Sequence, residues 1–320
     1  MLQKMLYLVA VSPVHNGAGQ GIGMIDNSIL RQRDTNLPII QGSSIKGVLR
    51  EEWKEADQDE DGKAMLTLFG PEPDEAAAYA GAISPGDAQL LLFPIRSLKG
   101  AFVWATSPLT LALFQKHLKF ACIPLDALDN VMAQAAQIGD QEVWVPNQQS
   151  LDKLEAGDCV VLEEYGYEGK VSNEMKELAD KLAGMIFPST YPLFLKEHFK
   201  KRVVLLPEDD FRYFVTFATE VTPNIRIEES GATKKGSLRY TEYLPAQSVL
   251  YSLWSVDKGR SEDAATLCLQ TDQKVWEKVE EKVKDHYRVQ IGGDATVGKG
   301  LMELQFHPDE TEGSLCQCET

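Results

Sequence analysis

The sequence lacks any long apolar run. Its main apolar stretch near the amino end covers residues 5–11, far short of the roughly 18 residues that span a bilayer. A signal peptide would also need a longer apolar region and a small-residue cleavage site. We therefore expect a buried β-strand over residues 6–13, and no membrane partner.

Cysteine is scarce as well, with five residues in 320. They are odd in number and show no paired spacing: Cys122, Cys159, Cys268, Cys316 and Cys318. The last two have only His307 nearby, which is too few ligands for a zinc site. A disulfide scaffold is therefore excluded, and a reduced, cytoplasmic protein is predicted.

Basic residues are outnumbered, at 32 against 48 acidic residues, which gives a net charge of −16. An anionic body should repel phosphate chains, so a generic basic nucleic-acid binder is disfavoured. The excess acid is local, however. Residues 51–80 carry a net charge of −8, and residues 308–320 add four acids without a base, while residues 89–119 contain no acid. Net charge therefore describes two segments and not the whole surface.

The two acidic segments, residues 51–88 and 308–320, are interpreted as a surface insertion and a tail. Within the first, Asp57, Asp59 and Asp61 match the first half of a calcium loop. Leu68 stands where the bidentate glutamate should be. We interpret the insertion as a solvated loop, with calcium binding as a minor alternative.

Hydrophobic patterning predicts strands and helices in mixed order. Buried strands are expected at 88–93 and 100–105 around a turn at 94–99, and a long β-hairpin is expected over 225–254. Helices are predicted over residues 44–56, 108–117, 173–185, 208–218 and 272–284. Because no repeat or low-complexity linker divides the chain, residues 1–320 are expected to form one α+β domain with insertions.

A glycine-rich loop at residues 292–300 nearly matches a nucleotide-binding phosphate loop. Gly298 and Lys299 fit the pattern, but Gly300 replaces the Ser or Thr that would hold magnesium. A helix should follow such a loop, whereas residues 301–306 are typical of a strand. Nucleotide hydrolysis is therefore disfavoured, although glycine amides and one lysine can still contact a phosphate chain.

A second phosphate-suited element is the start of the helix predicted at residues 44–56. Ser43 or Ser44 would cap it, and Lys46 and Arg50 lie one turn apart. Amide groups, hydroxyls and these two bases would together face a phosphate. An ordinary capped helix with solvated bases explains the same residues, and taken alone this feature favours that simpler interpretation.

Four segments of the chain resemble the RAMP superfamily of CRISPR proteins. Residues 38–50, with Gly42-Ser43-Ser44-Ile45-Lys46-Gly47, look like its first signature, and residues 292–300 match its carboxyl-terminal glycine-rich loop. Residues 91–104, with Arg96-Ser97-Leu98-Lys99-Gly100, resemble the repeated backbone subunit of type III-B (Cmr) RNA-guided complexes. Residues 225–227 and 242–251 are similar to the thumb hairpin of that subunit. The resemblance extends from about residue 5 to 305.

The resemblance implies a ferredoxin-like (RRM-like) palm with an inserted β-hairpin thumb at residues 221–251. It also implies copies stacked head-to-tail along a CRISPR guide RNA, together with other Cmr subunits and a single-stranded target RNA that is cut at regular intervals. The guide contacts would come from the two phosphate-suited elements, from Arg96 and Lys99, and from the thumb residues Arg226 and Arg239. Pro223 and Asn224 depart from the basic thumb stem that the resemblance leads us to expect.

Catalysis in this family is carried by an aspartate in the loop after the first glycine run, which corresponds here to Asp26. Its carboxylate would position a hydrated Mg²⁺, or another divalent ion such as Mn²⁺, while the RNA 2′-OH attacks. The products would be a cyclic phosphate and a 5′-OH. His15 is a candidate base, acid or RNA contact. The simpler interpretations are a loop-stabilising Asx turn for Asp26 and a structural role for His15.

Two other functions fit parts of the pattern. One is a non-catalytic scaffold that binds guide RNA in a related CRISPR complex. The other is a metabolic enzyme that binds a nucleotide through residues 292–300. Tight nucleotide binding by the isolated chain would identify the enzyme, and target RNA retained uncut in magnesium would identify the scaffold.

Overall fold

The computed structural model describes residues 1–20, 24–56, 61–75, 77–283 and 287–308. The centre of the calcium-like motif, the acidic tail beyond residue 308, Cys316 and Cys318 lie outside the described residues. No described helix is long and apolar enough to cross a membrane.

Helices and strands alternate along the described part of the chain. The helices are α1 (Gly42–Ala56), α2 (Asp61–Phe69), α3 (Pro108–Phe120), α4 (Asp126–Ala135), α5 (Gln148–Leu154), α6 (Asn173–Ile186), α7 (Leu193–Lys200), α8 (Glu208–Phe217) and α9 (Asp272–Lys282). The strands are β1 (Leu2–Ala10), β2 (Gly17–Gln20), β3 (Asn27–Ile29), β4 (Ile39–Ile40), β5 (Ile83–Pro85), β6 (Ala88–Ser97), β7 (Ala101–Thr106), β8 (Glu142–Val145), β9 (Val160–Leu162), β10 (Tyr165–Val171), β11 (Val203–Leu205), β12 (Glu220–Asn224), β13 (Arg239–Tyr243), β14 (Val249–Val256), β15 (Tyr287–Gln290) and β16 (Leu301–Phe306). The mixed α+β class is confirmed.

A twelve-stranded sheet forms the centre of the molecule, in the order β15-β16-β1-β14-β6-β7-β11-β8-β10-β9 with β4 and β5 at its side. Four of its strands follow the order β16-β1-β14-β6, and every neighbouring pair among them is antiparallel. Helix α1 lies in the connection from β1 to β6, and α9 lies in the connection from β14 to β16. Strand β1 therefore has a neighbour from the carboxyl-terminal part of the chain on each edge.

Strand β1 is apolar from Met5 to Ala10 because both of its faces are buried there. Leu6, Leu8 and Ala10 belong to one core, which contains side chains of α1 and α9. Met5 and Tyr7 alternate with them and belong to a second core, which contains side chains of α3, α4 and α6. A strand covered on both faces requires a continuous apolar run rather than an alternating one, and this accounts for residues 5–11.

Helix α1 begins at Gly42, so the predicted cap at Ser43 or Ser44 is wrong. The Gly42 N–H donates to the Asp87 carboxylate at 2.8 Å, so the first amide of the helix finds its hydrogen-bond acceptor in a distant segment. A side chain at position 42 would clash with the Pro85 carbonyl. Both serines therefore lie in the first turn.

The predicted turn at residues 94–99 is also wrong. Strand β6 continues through Pro94, which pairs with Trp104, and ends only at Ser97. The chain reverses at residues 98–100, where Gly100 adopts a φ of +80°. Apolar residues after Pro94 continue the buried strand, and glycine supplies the backbone conformation that the turn needs.

A separate four-stranded sheet, in the order β12-β13-β3-β2, carries the hairpin. The hairpin predicted over residues 225–254 is wrong in its strands, because β12 and β13 pair over 220–224 and 239–243. Strand β14 instead joins the large sheet, and residues 225–238 connect the two hairpin strands. The apolar alternation that suggested strands at Ile225 and Ile227 marks exposed side chains, at 50% and 68% exposure.

Candidate functional site

Asp26 stands immediately before β3 and is fixed to the hairpin. Its N–H donates to the Tyr240 carbonyl at 3.1 Å, and its Oδ2 accepts the Tyr240 N–H at 2.8 Å. The side chain thus bonds to a strand 214 positions away instead of closing a local turn. Within the described part of the chain the second carboxylate oxygen accepts no hydrogen bond, and the residue is exposed.

His15 contacts the same hairpin strand two residues further along. Its Nδ1 lies 2.8 Å from the Glu242 carbonyl, which can only accept, so Nδ1 carries the proton. In the neutral ring Nε2 is then a proton acceptor. A side chain at Gly17 would stand 2.7 Å from Nε2. Glycine at that position therefore leaves the basic nitrogen accessible.

Strand β13 brings Asp26 and His15 to one surface. Tyr240 binds the aspartate and Glu242 binds the histidine, and these positions are two residues apart in an extended strand. That spacing corresponds to about 7 Å of backbone. A carboxylate and an imidazole are thus presented by a common support.

The glycine-rich loop packs against the segment that carries His15. The Gly293 N–H donates to the His15 carbonyl at 2.9 Å, and the Gly300 N–H donates to the Pro13 carbonyl at 2.8 Å. Gly298 has a φ of +79° and open space around it. The structure therefore places the loop with Gly298, Lys299 and Gly300 next to the segment that follows the first strand.

Lys299 and Tyr243 connect this loop to the hairpin. The Lys299 ammonium lies 4.7 Å from the centre of the Tyr243 ring and 3.1 Å from Glu220 Oε1. The Tyr243 hydroxyl donates to Asp294 at 2.7 Å. Burial, followed by the bond to Asp294, raises the pKa of Tyr243 to about 12. This phenol therefore stays protonated at neutral pH and is a donor, not a base.

A buried ion pair beneath the site was missed by sequence reasoning. Arg31 donates to Glu242 at 2.6 Å, with the two side chains 15% and 4% exposed. The Glu242 carboxylate also accepts the Ile29 N–H at 3.0 Å and the Thr219 hydroxyl at 2.9 Å. The pair joins the segment around β3, which bears Asp26, to β13. Residues 211 positions apart give no local sequence signal for such a pairing.

The helix α1 residues are placed differently from the sequence expectation. Ser43 is exposed and Ser44 is half-buried in the first turn. Lys46 Nζ donates to the Ile83 carbonyl at 3.1 Å, and Arg50 donates to the Gly70 carbonyl at 2.9 Å. Burial, and then the charge of Arg50, lowers the pKa of Lys46. Both bases are thus bound to backbone oxygens, and their contact with RNA stays a prediction.

The other predicted contacts lie on two projecting segments. Arg96 pairs with Glu163 at 3.0 Å, and Lys99 is exposed in the turn between β6 and β7. Arg226 and Arg239 line a shallow groove of about 180 Å³ in the hairpin, together with Lys234 and Lys235. Within the described ranges no hydrogen bond or ion pair joins these residues to Asp26, so their roles also stay predictions.

Among the described residues, no group of three or more His, Cys, Asp or Glu side chains could hold a metal ion. Asp26 is a single carboxylate with one oxygen bound to Tyr240. That donor set fits a hydrated magnesium ion, which often takes one or two protein carboxylates, several waters and substrate phosphates. It does not fit a metal bound by protein ligands alone.

Comparison with known proteins agrees with the residues that suggested a family. A model of the RAMP superfamily matches residues 7–303. The chain is 33% identical over 298 residues to the CRISPR system Cmr endoribonuclease Cmr4 of Pyrococcus furiosus, covering 93% of each chain.

Solved structures give the same result. The crystal structure of oligomeric Cmr4 from Pyrococcus furiosus superposes with a TM-score of 0.68 at 26% identity, covering 96% of this chain and 98% of that one. A chain of the type III-B Cmr-beta complex bound to cognate target RNA has a TM-score of 0.70 at 17% identity, covering 96% and 97%. The second likeness concerns the fold alone.

Proposed function

Because the chain belongs to the RAMP superfamily, we propose that it is the RNA-binding, target-cleaving backbone subunit of a type III-B CRISPR complex. The observation that carries this proposal is the support of Asp26 and His15 by one hairpin strand, beside a loop of glycine amides and a lysine. The relative at 33% identity is named as an endoribonuclease, which supports the same activity.

The fold has the parts that this role requires. The antiparallel order β16-β1-β14-β6, with helices α1 and α9 in its two connections, is the arrangement of a ferredoxin-like palm. The hairpin β12–β13 and its loop at residues 225–238 form the thumb. The loop carries basic residues and exposed Ile225 and Ile227. Apolar side chains of this kind can stack on nucleobases or insert between them, while the basic side chains contact the RNA backbone.

Cleavage would use the RNA's own 2′-hydroxyl. The 2′-oxygen loses its proton and bonds to the adjacent phosphorus, while the bond from phosphorus to O5′ breaks. The leaving oxygen takes up a proton, so the products are a 2′,3′-cyclic phosphate and a 5′-hydroxyl. Neutral His15 carries a lone pair on Nε2 and can accept the first proton or, once protonated, supply the second.

Asp26 would hold a hydrated Mg²⁺ or Mn²⁺, which when bound would offset the negative charge that develops on the phosphate. The protein's own part is to fix that carboxylate through Tyr240. The ammonium of Lys299 would contact a neighbouring phosphate, whereas the Gly293, Gly298 and Gly300 amides donate to carbonyls within the protein and shape the loop. The ion pair between Arg31 and Glu242 keeps the support rigid.

Copies of the chain would stack head-to-tail along the guide RNA, with a heterologous interface that does not close. The guide would select the target by base pairing, and each copy would cut once. The Pyrococcus furiosus relative is described as oligomeric, which supports such stacking. Other Cmr subunits would complete the complex.

The test compares Asp26→Asn with Asp34→Asn in a guide-loaded complex. Asp34 is an exposed aspartate in a neighbouring turn, so it controls for the loss of one charge. Asp26→Asn should slow cleavage by at least about 10²-fold and leave guide binding unchanged. Cleavage at the wild-type rate and spacing by the Asp26 variant would refute the assignment.

The alternative of a non-catalytic scaffold draws on one observation, that no group of three or more His, Cys, Asp or Glu side chains among the described residues could hold a metal ion. A wild-type complex that binds target RNA in magnesium and leaves it intact would favour it. The nucleotide-hydrolysing alternative loses support, because β16 and not a helix follows the glycine-rich loop.

A further inference from the structure

We propose that a cationic pocket between helices α5 and α7 binds one phosphodiester group of an RNA strand. The inference rests on the proposed RNA-binding function and adds a contact on an element that none of the sequence motifs includes. We call it the α5–α7 pocket. Its lining residues are Ser150, Lys153, Leu154, His198, Lys201 and Arg202.

The α5–α7 pocket has room for one small anionic group. Its volume is about 40 Å³, a few times the roughly 10–15 Å³ of cavity space that one water molecule needs. A phosphate edge can enter such a space, whereas a nucleobase cannot. The pocket therefore suits a backbone group and not a base.

The cations of the pocket lack carboxylate partners. Lys153 and Lys201 make no ion pair with any described residue, whereas their neighbour Lys200 pairs with Glu197 at 2.9 Å. Burial, followed by the charges of Arg202 and Lys153, lowers the pKa of His198. Positive charges left together in a chain of net charge −16 repel one another, and an anion would relieve that repulsion.

Helix dipoles account for only part of this arrangement. Lys153 lies in the last turn of α5, and Lys201 caps the carboxyl end of α7. Each helix end carries about half a negative charge, which favours a nearby cation. The two ends together offset about one charge, so three permanent cations leave the pocket positive.

The position of the pocket connects it to predicted RNA contacts. Arg202 donates to the carbonyls of Gly100 and Phe102, and so holds the turn that carries Lys99. A side chain at Gly100 would collide with the Arg202 guanidinium. The pocket and the β6–β7 turn that carries Lys99 are therefore adjacent.

Trp104 links the pocket to the candidate site. Its ring lies 6.1 Å from that of His198, and its indole N–H donates to the Gln247 carbonyl at 2.9 Å. The Gln247 N–H in turn donates to the Ala10 carbonyl at 2.7 Å, at the end of β1. The neighbouring β6–β7 turn carries Lys99, a predicted RNA contact, and this favours RNA over an acidic protein as the occupant.

The experiment compares two double variants of the full chain. Lys153→Gln with Lys201→Gln removes two pocket charges, and Lys176→Gln with Lys181→Gln removes two exposed charges from α6. Arg202 is left intact because it anchors the turn. Binding of a fluorescent single-stranded RNA of about 40 nucleotides, long enough for several copies, is measured by anisotropy over a range of salt concentrations, and melting temperatures verify folding.

Each lost phosphate contact should reduce the magnitude of the salt slope by about 0.7. We therefore expect a reduction of about 0.7 in the pocket variant, for the one phosphate contact that it loses, and no comparable change in the α6 variant. In addition, inorganic phosphate should raise the NMR-measured pKa of His198 in the wild type and not in the pocket variant.

Equal salt slopes in the two double variants would overturn the proposal that the α5–α7 pocket binds an RNA phosphate, while leaving the proposed function intact. Loss of self-assembly with an unchanged slope would also overturn it, in favour of an acidic protein surface as occupant. Absence of RNA binding by the wild type in its guide-loaded complex would instead refute the proposed function itself.

Discussion

Replacement of Glu242 by alanine should destabilise the contact between β13 and the segment that carries Asp26. The carboxylate is 4% exposed and accepts hydrogen bonds from Arg31, Ile29 and Thr219. Removing one partner of a buried pair leaves an uncompensated charge and costs about 3–5 kcal/mol. With an unfolding entropy of about 2.1 cal/mol/K per residue, the melting temperature of a 320-residue chain should fall by about 4–8 °C.

Hydrogen exchange locates the effect within the molecule. The Asp26 N–H keeps its acceptor, the Tyr240 carbonyl, in the variant. Its exchange should nevertheless accelerate by more than about 10²-fold, because the contact between β3 and β13 is weakened. About 1.4 kcal/mol of lost stability corresponds to a factor of ten in the population of the open state. RNA cleavage should decline with it, since the Asp26 carboxylate is no longer held.

Two further variants make the reasoning refutable. Glu229→Ala removes an exposed acid from the loop between β12 and β13 and should change neither melting nor exchange. Arg31→Met attacks the same pair from the other side, so its cost and that of Glu242→Ala should not add. Unchanged melting and Asp26 exchange in Glu242→Ala, or strictly additive costs, would show that the pair does not support the site.

Three more predictions concern single residues. Gly300→Ala should lower the melting temperature more than Gly298→Ala. Both glycines have a positive φ, where alanine costs about 1–2 kcal/mol, but only at position 300 would the methyl group also collide with the Ile291 carbonyl. Equal losses of melting temperature would contradict this. Glu220→Gln releases the partly exposed Lys299, so RNA affinity should rise by up to about fivefold with little change in stability, and no rise relative to Glu228→Gln would refute it. Burial and the charge of Lys116 lower the pKa of His117, so below about pH 6.5 the unfolded chain binds a proton that the folded chain does not. The stability advantage of the wild type over His117→Gln should therefore shrink as the pH falls from 7.5 to 5.5. A constant difference in melting temperature would contradict this.

Local patterns predicted the elements that depend on nearby residues. Strand β16 and helices α3 and α9 follow from apolar spacing and caps within the segments themselves. The exposed Ile225 and Ile227 misled the prediction of the hairpin, because alternation records apolar side chains without stating what covers them. Strand β14 looked like part of that hairpin and belongs instead to the large sheet.

The candidate site divides along the same line. A short motif indicates the glycine-rich loop, and the family resemblance points to Asp26. Neither predicts the role of Tyr240 in holding the aspartate, since the two residues are 214 positions apart. The start of α1 depends on Asp87, 45 positions away, and was misplaced for the same reason. Lys299 was predicted to contact RNA, while its present partner Glu220 is visible only in the fold.

The position of β1 between β14 and β16 has a consequence for synthesis. Leu2 pairs with Val256, and Ala10 pairs with Met302. Both edges of β1 therefore stay unpaired during synthesis until β14 and β16 have been translated. At about 5–20 residues per second this delay is on the order of half a minute on the ribosome. A doubly apolar strand with two open edges is meanwhile prone to pair with other chains. Nascent chains should therefore need chaperone protection, and the surface that holds His15 forms only after residues 242–300 have been translated.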